Sequence, residues 1–135
     1  MISTVTNQGA THFMAYDESM TSDVLIKFLE QLTKINDKKI FLILDNLRVH
    51  HSKLVKAWLS ENIVKIEVFY LPAYSPDLNP DEYLNCDLKC GLSHMPSPKK
   101  KEELIANLEK HMSLLQNSPE RVKKYFKHPS IAYAA

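Results

Sequence analysis

Hydrophobic positions along the chain change period several times, and each change marks an element. The first six residues are rich in β-branched side chains and predict a strand. Asn7-Gln8-Gly9-Ala10 supplies a turn, and Thr11 to Tyr16 predicts a second strand, so the pair forms a hairpin. A loop from Asp17 to Asp23 ends in helix-capping residues. Val24, Leu25, Phe28, Leu29, Leu32 and Ile35 then recur at helical spacing, and Asn36-Asp37-Lys38-Lys39 breaks that helix.

Ile40-Phe41-Leu42-Ile43-Leu44 is a continuous apolar run, the pattern of a strand buried on both faces, and such strands are usually parallel with helices on each side. Ser52 is placed to cap a second helix carrying Leu54, Val55, Trp58 and Leu59 on one face. Ile66 to Leu71 predicts another apolar strand. Helix, strand, helix, strand is an α/β order with right-handed crossovers. Asn79-Pro80 opens a third helix, with Asn79 as N-cap and Pro80 at the first helical position. Leu84, Leu88 and Leu92 form its core stripe, Glu82, Asn85, Cys86 and Lys89 share another face, and Gly91 weakens or ends it. A fourth helix follows Pro98, with Leu104, Ile105, Leu108, Met112 and Leu115 inward. Ser118-Pro119 starts a short fifth one, which stops before His128-Pro129.

The chain has 135 residues, the length of one domain. A net charge of +1 argues neither for nor against a nucleic-acid partner, so any DNA affinity must come from local patches. Lys99-Lys100-Lys101 and Lys123-Lys124 with Lys127 are such patches, either solvated helix ends or phosphate contacts. Two cysteines, Cys86 and Cys90, with no signal peptide point to a reducing, cytoplasmic setting. No segment approaches the ~20 apolar residues of a membrane span.

Two carboxylates stand out. Asp45 lies just past the carboxyl end of the buried strand, the edge where open α/β sheets bind ligands; a solvated loop Asp capping the next turn fits the same position. Glu82 lies in the first turn of the third helix. There it is either an accurately placed metal ligand or the return arm of an Asn79-x-x-Glu82 capping box. Two acids on rigid elements are what metal-dependent polynucleotidyl transfer needs. His50 and His51 could orient a carboxylate, touch a phosphate, act as a base, or simply be surface residues. Cys86, Cys90 and His94 at i, i+4, i+8 resemble a helical zinc set, but a tetrahedral site wants a fourth ligand and none is evident. A phospho-acceptor role for Asp45 finds no acidic pair at the end of an earlier strand.

Leu44-Asp45-Asn46 followed by His50, and then Leu71-Pro72-x-Tyr74-Ser75-Pro76-x-Leu78-Asn79-Pro80-x-Glu82, resembles the catalytic core of mariner-superfamily transposases. The likeness is greatest to the bacterial insertion-sequence branch, the DDE superfamily endonucleases. It continues through Asp87-Leu88-Lys89 and Ser118-Pro119-Glu120-Arg121-Val122 to Tyr133-Ala134. The resemblance implies an α/β, RNase H-like fold with C-terminal helices. It divides the chain into a core at 1–95 and a helical extension at 96–135. Three acids would hold two Mg²⁺ or Mn²⁺ ions for attack on DNA phosphate. Asp45 matches the second acid and Glu82 the third, with Asn46, His50, Asn85 and Lys89 as supporting or DNA-contacting residues.

The first acid belongs to the opening strand of that fold, upstream of Met1 to Thr6. Asp17 and Glu18 are wrongly placed to replace it. The expectation is therefore a partial catalytic domain lacking its first strand and one acid, with an incomplete metal site, inactive alone. It would work on transposon-end DNA with a homo-oligomer or a full-length transposase, in bacterial or archaeal cytoplasm. The rival is a non-catalytic fragment that binds transposase or DNA ends and inhibits transposition.

Overall fold

The computed structural model describes residues 1–17 and 19–135, so Glu18 lies outside the described residues. Its elements are β1 (Ile2–Val5), β2 (Thr11–Met14), α1 (Ser22–Ile35), β3 (Ile40–Leu44), α2 (Lys53–Glu61), β4 (Ile66–Tyr70), α3 (Pro80–Ser93), α4 (Lys101–Gln116) and α5 (Pro119–Lys123). Short 3₁₀ segments cover Arg48–His51, Pro76–Leu78, Lys124–Lys127 and Pro129–Ala134. The last of these lies beyond His128, where helical structure is expected to have stopped. The chain forms two compact units, one of residues 16–76 and the other of residues 1–15 with 77–135.

In the unit of residues 16–76, Thr21 caps α1 by accepting from the Val24 N–H, and Ser52 caps α2 by accepting from Val55, the second as the sequence predicts. β3 and β4 pair in parallel, Ile40 opposite Ile66 through Leu44 opposite Tyr70. Leu25, Phe28, Leu29, Leu32, Leu42, Val55, Ile66 and Leu71 are buried. The expectation that β3 is buried on both faces fails. Leu42 is buried, but its neighbours Phe41 and Ile43 are 65% and 42% exposed, and Phe69 beside Ile43 is 50% exposed. Side chains alternate across a strand, so one face meets the core while the other stays open. α2 likewise buries only Val55 of its expected stripe, and Leu54 is exposed.

That open face has a consequence in solution. Phe41 and Phe69 contact each other with ring centroids 6.4 Å apart, beside a Lys39–Glu67 ion pair at 3.3 Å. Contiguous apolar surface next to strand edges that pair with no further strand among the described residues favours association. The purified chain should therefore elute above its 15.6 kDa monomer mass, and Phe41→Lys with Phe69→Lys should shift it back toward monomer. A wild-type monomer at high concentration by light scattering would show that this face is harmless.

The second unit starts from the hairpin. β1 and β2 are antiparallel, Ile2 opposite Met14 through Val5 opposite Thr11. The turn needs glycine at Gly9, where φ is +93°. A Cβ there would sit 2.7 Å from the Pro119 Cβ, so the turn also seats the start of α5. Asn79 caps α3 by accepting from Asp81 N–H, with Pro80 in the first turn. Leu84 and Leu88 from α3, Met112 and Leu115 from α4 and Val122 from α5 form the core, flanked by Met1, Val5, Phe13, Leu92, Leu108 and Tyr125. Gln116 donates to the Thr11 carbonyl at 3.1 Å and ties α4 to the hairpin.

Two local expectations are corrected here. Gly91 does not end α3, which runs on to Ser93. Its missing side chain makes room for the His111 ring, which a Cβ would strike. On α4, His111 is buried and Leu104 is 44% exposed, the reverse of the apolar pattern. The four strands pair as two separate two-stranded sheets among the described residues.

Candidate active site

Asp45 follows the last residue of β3, and its surroundings are built by the parallel register. Leu44 lies opposite Tyr70, and the Leu71 N–H donates to the Leu44 carbonyl at 2.8 Å, closing the ladder there. The chain then turns through Asn46 and Leu47 into the 3₁₀ segment Arg48–His51. His50 folds back into this turn and is buried. Its Nδ1 lies 2.6 Å from the Asp45 carbonyl. A carbonyl only accepts, so the proton is on Nδ1. Tyr70 reaches the same turn from β4, its hydroxyl donating to the His50 carbonyl at 2.9 Å. Burial pushes the Tyr70 phenol above its usual range, so it stays a donor at neutral pH. The Tyr70 ring stacks on the His51 ring at 4.2 Å between centroids, and His51 Nε2 bonds to Asn46 Oδ1.

Asp45 is thus half-buried on a turn whose main chain is held by His50 and Tyr70. A hard carboxylate oxygen on so constrained a backbone suits Mg²⁺ or Mn²⁺. The structure brings the His50 ring onto the Asp45 main chain, beside Asn46. Sequence reasoning missed Tyr70, because it lies 20 residues from His50 and reads simply as the end of an apolar strand.

Glu82 sits half-buried in the first turn of α3. Its N–H donates to the Asn79 carbonyl at 3.1 Å. Asn79 Oδ1 takes the Asp81 N–H at 3.0 Å, and Ser3 on β1 donates to Asp81 Oδ1 at 2.8 Å. The cap contacts therefore fix Asp81 and the turn that carries Glu82. Asn85 is half-buried one turn further along α3, and Lys89 is exposed. Cys86 and Cys90 are free and exposed. His94 ends the helix as its C-cap, its Nδ1 2.8 Å from the Cys90 carbonyl. Among the described residues no group of three His, Cys, Asp or Glu side chains is placed to hold one metal ion.

A polar cluster in the second unit escaped the sequence reading. Asp87 on α3 keeps only 12% of its side-chain exposure. Arg121 grips both its oxygens, the Tyr125 hydroxyl donates to Oδ2, and His111 Nε2 lies 3.3 Å from Oδ1. That last approach lacks hydrogen-bond geometry and leaves Nε2 an ion-pair neighbour only. Burial alone would raise the Asp87 pKa. Hydrogen bonds from Arg121 and Tyr125, with the charges of Arg121 and His111, outweigh it and hold the carboxyl below its usual range. Burial and the Asp87 carboxylate push the Tyr125 phenol well up.

The signs fix a pH dependence. A depressed Asp87 pKa gives stability that is present above the unfolded carboxyl value, about 3.9, and lost as pH falls through the folded value. A raised Tyr125 pKa gives stability that is present below the unfolded phenol value, about 10, and lost as pH rises above it. Thermal unfolding should weaken at both extremes, and Tyr125→Phe should flatten the alkaline limb and, by removing one of the bonds that depress Asp87, part of the acid limb. An unchanged alkaline limb in that variant would remove Tyr125 from the account.

The chain belongs to the DDE superfamily endonuclease family, whose model matches residues 1–105. It is similar to the "Insertion element IS630 uncharacterized 39 kDa protein" of Shigella sonnei, 41% identical over 68 residues. That match spans 49% of this chain and 20% of that protein, so the chain spans about a fifth of the curated relative. The fold is α/β and RNase H-like, like the catalytic domain of Mos1 mariner transposase. The TM-score is 0.63 at 17% identity, over 95% of this chain and 70% of that one. The Mos1 catalytic domain solved with raltegravir and Mn matches with a TM-score of 0.62 and with Mg at 0.63, each at 17% identity over 95% of this chain and 71% of the other. No helix among the described residues is long and apolar enough to cross a membrane.

Proposed function

We propose that this chain is part of the catalytic domain of a DDE transposase of the insertion-sequence kind, with Asp45 and Glu82 as two of its metal-holding acids. The observation that carries this reading is the turn after β3, where the His50 ring holds the Asp45 carbonyl and the Tyr70 hydroxyl holds the His50 carbonyl, fixing the main chain that carries the Asp45 carboxylate. Glu82 adds a second hard oxygen donor on the first turn of α3. Bound Mg²⁺ or Mn²⁺ would activate water or a 3′-hydroxyl and offset charge on the attacked phosphate. The chain's own residues would position the acids. Asn46, His50, Asn85 and Lys89 are the polar groups that would meet DNA in this reading. The partners are transposon-end DNA and further transposase chains, in the cytoplasm of a bacterium or archaeon.

In this reading a third acid completes the site, and the 135-residue chain alone is inactive. A second reading, a non-catalytic fragment that binds transposase or DNA ends and inhibits transposition, draws on the same absence of a three-ligand group among the described residues. One experiment separates them. The whole coding locus is expressed beside its own flanking DNA, and Mg²⁺-dependent cleavage at those flanks is measured with and without extra copies of the 135-residue chain. Cleavage that needs residues 1–135 within the expressed product supports the enzyme. Cleavage by a separate full-length transposase, suppressed by this chain, supports the inhibitor.

A further inference from the structure

We propose that Tyr70 and His51 are positioning residues that turn the Asn46 carboxamide so that its NH₂ group donates to a phosphodiester oxygen beside Asp45. The inference rests on the reading of Asp45 as part of a DNA-processing site. It goes further by giving Asn46 one kind of ligand and by naming two residues that fix it.

The argument starts from which atom of Asn46 is already used. His51 Nε2 bonds to Oδ1, and a carboxamide oxygen only accepts, so Nε2 carries the proton. That oxygen is therefore engaged by a ring N–H and is a poor candidate for a cation. The other end of the carboxamide carries two N–H donors and no acceptor, on an exposed residue adjacent to Asp45. A pair of donors held at a fixed angle suits an anionic oxygen. Phosphate oxygens are the acceptors that DNA presents all along its backbone, and Asn side chains bond to them.

His51 can hold this orientation because it is itself held. Its ring stacks on Tyr70, centroids 4.2 Å apart and planes 30° from parallel. Tyr70 is anchored twice, by its place in the parallel ladder opposite Leu44 and by its hydroxyl on the His50 carbonyl. The carbonyl it holds belongs to the residue whose ring holds Asp45. One phenol thus fixes both the acid's backbone and, through His51, the amide beside it. If Asn46 were only a turn cap, a carboxylate in its place would serve equally well, since it would accept from the same Nε2–H.

The test uses the full 135-residue chain and two probes, a duplex carrying the element's end sequence and a mixed-sequence duplex of the same length. Binding is followed by fluorescence anisotropy, and folding by thermal melting. Asn46→Asp keeps an acceptor for His51 but replaces the donors with an anion, and it should weaken binding to both duplexes by about ten- to a hundredfold. His51→Ala and Tyr70→Phe should each weaken it by several-fold. His51→Gln, which restores a donor close to the position of Nε2, should recover most of the loss, a rescue that a purely structural role for the ring would not give. All variants should melt near the wild type. Unaltered binding by Asn46→Asp, or His51→Gln as weak as His51→Ala, overturns the positioning inference while leaving the DNA-processing reading intact. A wild-type chain that binds neither duplex at low salt overturns both.

Discussion

Asp45→Ala and Glu82→Ala are each expected to reduce cleavage at the element's ends by about a thousandfold or more in the product expressed from the whole locus. The magnitude follows from what the acids are asked to do. A carboxylate that holds a catalytic cation supplies several kcal/mol of transition-state stabilisation, because a site short of one acid holds its ions loosely and octahedral Mg²⁺ tolerates geometric error poorly. The effect should fall on turnover with little change in folding, since both side chains are only half-buried. Asp45→Asn and Glu82→Gln, which keep shape and lose charge, should be nearly as inactive. Thermal melts run beside the cleavage assay make the result interpretable. Activity within tenfold of wild type in either alanine variant, with the protein folded, would remove that residue from the metal site. Both should also be tested in Mn²⁺, whose softer geometric demands reveal a partly intact site.

The second large effect is on stability. Asp87→Ala should lower the unfolding free energy by about 2–4 kcal/mol, a large share of the ~5–15 kcal/mol typical of a domain. The substitution strands the Tyr125 hydroxyl and the inner side of the Arg121 guanidinium, and takes from the buried His111 ring its ion-pair neighbour. Arg121 is 48% exposed and recovers some hydration, which keeps the figure below that of a fully buried pair. Arg121→Ala should cost less than Asp87→Ala, because Asp87 keeps its bond from Tyr125. The double variant should be less damaging than the sum of the two, since both remove one network. Urea melts of the four proteins provide the cycle. Strict additivity would show that Asp87 and Arg121 act independently.

Much of the fold was legible because it is decided within a few residues. Ser52 before an apolar stripe, Asn79-Pro80 at a helix start and Gly9 in a tight turn each satisfy a local backbone need, and all three stand where the sequence puts them. The Leu71-to-Glu82 motif is equally local, and with the Leu44-Asp45-Asn46 turn it carried the resemblance to the family whose model matches residues 1–105. What the sequence by itself determined, then, was the order of the main elements, the caps of α2 and α3, and the family.

Tertiary structure decided which surfaces those elements cover. An unbroken apolar run cannot say whether helices flank both its faces, so the exposure of Phe41 and Ile43 was invisible in it. Glycine reads as a helix weakener worth about 1 kcal/mol against alanine, yet Gly91 serves as a seat for His111 from the next helix. Polar residues were the hardest to place, because their burial depends on partners far along the chain. Asp87 is a hub only because Arg121 and Tyr125 arrive from later turns, and Tyr70 reaches the Asp45 turn only because β4 pairs in parallel with β3. Desolvating such a group is unfavourable until its partners are in place, and partners are brought together by packing, which no local pattern records.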